Sequence, residues 1–181
     1  MNKKITFFRR RFRLTNFLAF MVIFLIGMIL FRRIAVFFII SLVVAVSTYF
    51  IYSVKLPFDL SPVLFVSLII SRQYSVMPAA VFIAISGIIP MILAGGSFDH
   101  TTLFYVSVRI LVNFINTFLK PFPIVPVLIG MSFLDHLLGT VGSVSLFGAN
   151  PAKEMTNIVL QTSVDIIYIL SLSSLLVLMT G

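Results

Sequence analysis

Of 181 residues, 60% are hydrophobic and only 10% charged, with a mean hydropathy of +1.19; no soluble core of this size absorbs so much apolar surface, which excludes a soluble domain. The net charge of +8 does not argue for nucleic acid. The basic residues sit in the amino-terminal "MNKKITFFRRRFR" and at the ends of apolar runs, where they act as topology signals and contacts to lipid headgroups.

Residues 14–31, "LTNFLAFMVIFLIGMILF", follow the basic tail and run into Arg32 and Arg33, with no small-residue cleavage pattern. They read as a retained helix and not as a signal peptide. Apolar runs then occupy 34–54, 58–71, 75–96, 102–119, 122–147 and 155–179. Lys55 and Pro57, Arg72 and Gln73, "GGSFDHTT", "LKPFP" and "GANPAKE" punctuate them. A perpendicular span needs about 20 apolar residues, so 58–71 must tilt, thin the bilayer or be shielded by its neighbours. The expected architecture is an all-α integral membrane protein. It divides into a basic segment with an apolar helix (1–33), membrane helices (34–101) and polar-striped carboxyl-terminal helices (102–181). About six helices are membrane-embedded, and the last two have the length to lie tilted.

Positive charge gives a test of topology. If helix 14–31 does not cross, alternating spans from residue 34 place ten Lys/Arg on one side and two (Lys55 and Lys153) on the other, leaving Arg109 aside. If it crosses, the split is eight against four. The first arrangement fits the positive-inside rule better. One internal similarity, "PFDLSPVL" at 57–64 against "PFPIVPVL" at 121–128, reads as shared helix-start chemistry more than as a duplicated unit.

Arg109 lies in the middle of "YVSVRILVNFINTFLK". A membrane-embedded arginine is costly and normally faces protein or water with a partner. Tyr105, Arg109, Asn113 and Asn116 share one helix face, and Glu154, Asn157, Gln161, Asp165 and Tyr168 form a similar stripe on the final helix. Asp135 and His136 add titratable groups in a third apolar setting. Two readings stay open: these groups form a proton relay, or Arg109 and Asp165 are a buried ion pair that fixes helix register.

"SVRILVN" resembles the Arg-x-x-x-Asn core of the penultimate helix in subunit a of F-type ATP synthases, and "EMTNIVLQTSV" is similar to that family's last helix. The resemblance covers about residues 102–181. It implies a stator subunit that forms proton half-channels against the rotor c-ring. Arg109 would be the rotor-facing barrier, with Asn113, Glu154 and Gln161 in the proton path. Asp135, His136, Asp165 and Asn116 are further relay candidates, chosen on their chemistry. The implied partners are the c-ring, other ATP synthase membrane subunits and lipids, and the implied location is the mitochondrial inner membrane more than a bacterial plasma membrane. The sequence departs from that family where Thr117 and Phe118 replace a Gly-His or Gly-Glu pair, and where Pro121, Pro123 and Pro126 should break a long helix.

The span count, "PFDL" and "PAAVFIAISG" also resemble rod-shape-determining membrane proteins and the small-molecule-binding components of energy-coupling-factor transporters. That family implies a scaffold or a binding component, with Arg109 in a structural pair. Zero cysteines exclude thiolate chemistry, and His100 and His136 show no metalloenzyme spacing. No catalytic residue, metal site or cofactor is expected.

Overall fold

The computed structural model describes residue 17, residues 21–22, 32–54 and 59–180, with side chains as far as residue 174. The helix expected at 14–31 falls largely outside the described residues. All regular structure among them is helical: α1 (Arg32–Val54), α2 (Val63–Gln73), α3 (Val76–Leu93), α4 (His100–Phe118), α5 (Ile124–Phe147) and α6 (Pro151–Thr180). Every one except α2 is long and apolar enough to cross a membrane, and the chain is an all-α integral membrane protein. The chain divides into two compact units, residues 1–38 and residues 39–181; the relationships described below lie within the second.

Helix α2 explains how a run too short to span is accommodated. It packs against α3, α4, α5 and α6, and Val63 through Ser71 are all buried. A helix surrounded by others needs no solvent-facing polar stripe, and its two buried serines, one turn apart, serve helix packing. Of the three options open to a short run, shielding is the one this fold adopts. Ser67 and Ser71 donate to carbonyls one turn back, Leu64 at 2.8 Å and Leu68 at 3.0 Å. Their oxygens in turn accept from Asn113 Nδ2 at 3.0 Å and Asn116 Nδ2 at 2.9 Å, which fastens α4 to α2.

Helix α3 widens to a π turn over Ala84–Ile88, a local change of pitch that redirects side chains. Fully buried Ser86 in this turn donates to the Ser41 carbonyl of α1 at 3.0 Å. Between α4 and α5, the proline-containing segment after Phe118 breaks the helix as its sequence requires. The Arg72 guanidinium donates to the carbonyls of Lys120 (2.9 Å) and Phe122, so the end of α2 is tied to this turn.

Helices α4 and α5 approach closely because two glycines leave room for aromatic rings. A Cβ on Gly139 would stand 2.7 Å from the Tyr105 ring, and one on Gly142 would overlap Phe104. Helix α5 ends at Gly148, whose φ of +67° is a left-handed conformation that favours glycine. Asn150 then starts α6 by accepting from the Ala152 N–H at 2.9 Å, with Pro151 at the first helical position.

Candidate binding cavity

The polar stripes of α4 and α6 converge on a cavity of about 300 Å³ inside the bundle. Helix α4 contributes Thr102, Tyr105 and Arg109, α5 contributes Asp135, His136 and Thr140, and α6 contributes Glu154, Asn157 and Gln161. Tyr52 of α1, Asp59 and Ser61 ahead of α2, and Gly87 and Ile88 of the π turn complete the polar and backbone lining. Val63, Ile83, Met91 and Val106 supply apolar wall.

Arg109 Nη2 lies 3.6 Å from Asp135 Oδ2, and their side chains are 20% and 6% exposed. Asp59, Tyr52 and Asp165 also act electrostatically on the guanidinium. The pair is incompletely satisfied: Arg109 Nε and Asp135 Oδ1 are both buried without a hydrogen-bond partner. Unpaired polar atoms of this kind cost free energy unless water or a ligand meets them.

The alternative pairing of Arg109 with Asp165 is not formed. Asp165 Oδ2 accepts from Ser132 Oγ at 2.5 Å and lies 2.7 Å from His136 Nε2. Asp135 and His136 are successive residues about 100° apart around α5, so one is directed to α4 and the other to α6. Neither contact engages Asp59 or Glu154.

Of the residues singled out from sequence, Tyr105, Arg109, Asp135, His136, Glu154, Asn157 and Gln161 line the cavity. Asp165 stands directly behind His136. Asn113 and Asn116 do not reach the cavity: both are fully buried against α2, with Asn113 Nδ2 also donating to the Arg109 carbonyl at 2.8 Å. The α4 stripe is therefore divided between a cavity-facing part and a helix-packing part. Tyr168, at the far end of the α6 stripe, donates to the Leu60 carbonyl at 2.9 Å and stacks on Phe65.

Tyr52, Asp59 and Ser132 were not anticipated. Asp59 accepts from the Ser61 N–H at 2.8 Å and the Tyr52 hydroxyl at 3.4 Å. The readable signal was the Asp-x-Ser turn in "PFDLSP", a local carboxylate-to-backbone bond that fixes an acid just ahead of α2. Ser132 gave no signal, because serines in membrane helices ordinarily serve packing. Among the described residues, no group of three or more His, Cys, Asp or Glu is arranged to hold a metal.

No family model, curated protein or solved structure matches the chain.

Proposed function

We propose that this chain is a membrane-embedded binding component for a small polar molecule. The observation that carries the reading is the half-open cavity with Arg109 and Asp135 at its wall, each with a buried polar atom that no group among the described residues satisfies. A volume of about 300 Å³ is within the range of small-molecule sites, and apolar wall with a few convergent polar groups is their usual composition. Charged groups inside a membrane bundle are expensive to keep and face a substrate or a wet path as a rule. The resemblance to binding components of energy-coupling-factor transporters supports the same reading; a pure scaffold would have no use for the unsatisfied atoms.

Native mass spectrometry of the chain in nanodiscs tests this. The account expects a small molecule, close to one per chain, released from the wild type and absent from a Thr140→Trp variant whose cavity is filled. Identical bare masses for both proteins would contradict it.

A second reading, the stator subunit a of an F-type ATP synthase in the mitochondrial inner membrane, is favoured by one observation. Arg109, Glu154 and Gln161 share a cavity with Asp135 and His136, so protonatable groups line one polar space. Its partners would be the rotor c-ring and the other membrane subunits. It requires proton flux through the assembled complex that is lost in Arg109→Ala with assembly intact. Unchanged flux in that variant would remove this reading and leave the binding component standing.

A further inference from the structure

The cavity wall carries three carboxylates, Asp59, Asp135 and Glu154, against one guanidinium, Arg109. His136 does not alter the balance, because its Nε2 is engaged by Asp165 outside the count. Arg109 is paired with Asp135, and neither this pair nor the contact of His136 with Asp165 engages Asp59 or Glu154. Surplus negative charge in a low-dielectric interior is unfavourable until a cation enters.

A second, independent observation points to a ligand. Asp135 is 6% exposed at its side chain, and its Oδ1 has no hydrogen-bond partner although the residue lines the cavity. A donor from outside the chain is what that oxygen lacks. Arg109 Nε, also buried and unpartnered, lacks an acceptor. Tyr52 and Tyr105 add phenol rings to the same wall, and aromatic faces attract cations.

We propose, resting on the binding reading above, that the cavity takes a small organic cation: an ammonium group set among Glu154, Asp59 and Asp135, with a hydrogen-bond acceptor on the same molecule turned to Arg109. The ligand then offsets the surplus charge. An organic anion would meet three carboxylates, and a neutral molecule would leave their charge uncompensated.

Three probes of matched length separate charge from size: 4-aminobutan-1-ol, butane-1,4-diol and 4-hydroxybutyrate. Their dissociation constants are measured by saturation-transfer NMR on the full chain in nanodiscs, with empty nanodiscs subtracted. The ammonium probe is expected to bind at least about tenfold more tightly than the other two, a difference of about 1.4 kcal/mol. Glu154→Gln should remove most of that preference, and Lys153→Gln, on the exposed side of α6, should keep it. If Glu154→Gln does not fold, Asp59→Asn serves in its place. Tighter or equal binding of the diol or the carboxylate would overturn the cation and leave the binding reading intact. Binding of no probe would overturn both. Retention of the full preference in a folded Glu154→Gln or Asp59→Asn chain would overturn the assignment of the ammonium site.

Discussion

Asp135 and His136 are neighbours on α5 but hold different partners: Asp135 lies 3.6 Å from Arg109 on α4, and His136 lies 2.7 Å from Asp165 on α6. One turn of one helix thus ties three helices together through polar side-chain contacts. Removing Arg109 should leave Asp135 buried and uncompensated. Arg109→Ala is expected to lower stability by roughly 3 kcal/mol, the low end for a broken buried pair because the guanidinium is one-fifth exposed. Adding Asp135→Asn should restore most of the loss, whereas adding Asp165→Asn should deepen it. Unfolding of the purified chain in mixed micelles, titrated with a denaturing surfactant, gives the comparison; equal rescue by both would contradict the pairing.

The two asparagines of α4 act in packing. Asn113 and Asn116 are fully buried and donate to Ser67, Ser71 and the Leu68 carbonyl. Asn116→Ala is expected to cost about 1–2 kcal/mol. Combined with Ser71→Ala the loss should be less than additive, because both changes remove one shared bond. The same surfactant titration measures it, and strict additivity would show that the bond is not made.

Gly142 is fixed by an aromatic ring. Any Cβ there overlaps Phe104, so Gly142→Ala should destabilise by about 1–3 kcal/mol through overpacking. Phe104→Leu in the same chain should recover much of this. A tolerated Gly142→Ala with no loss of thermal stability would mean that α4 and α5 stand farther apart.

Asp99 provides a pH dependence outside the membrane helices. As N-cap of α4 it accepts from the Thr102 N–H at 2.9 Å, and hydrogen bonding to Thr102 holds its carboxyl below the ordinary carboxylate range. The folded value is lower than the unfolded one. The contribution is therefore fully present above the unfolded value of about 3.9 and is lost as pH falls through the folded value. The stability difference between wild type and Asp99→Ala should be constant near neutral pH and shrink on acidification below about pH 4. A difference that grows in acid would have the wrong sign.

Much of this arrangement was legible in the sequence, for reasons that differ from residue to residue. Long apolar runs and proline breaks give helix identity directly, because backbone groups in lipid must be satisfied within the helix. The i, i+4 spacing of Arg109 and Asn113 put both on one face, but spacing carries no information about which neighbour that face meets. The cavity and α2 divide the stripe between them, and only the close packing of short α2 decides where the division falls. The partner of Arg109 was not readable for the same reason: Asp135 and Asp165 are equivalent as acids in apolar helices. Their choice depends on the rotation of α5, which the contact of Gly139 and Gly142 with aromatic rings sets. Tyr52 was concealed because it stands alone in an apolar run, with no periodic companion, whereas Asp59 was signalled only by its local Asp-x-Ser turn.

The account depends on a polar cavity reached by water within an apolar bundle, and absence of native cysteine makes that directly measurable. Single cysteines at Gln161, on the cavity wall, and at Ile167, 62% exposed on the outer side of α6, are reacted with a membrane-impermeant thiol reagent in nanodiscs open on both faces. The account predicts labelling of Gln161→Cys at least an order of magnitude faster than Ile167→Cys. Equal protection of both, or faster reaction at Ile167→Cys, would show that Gln161 does not face a wet cavity and would contradict the binding site.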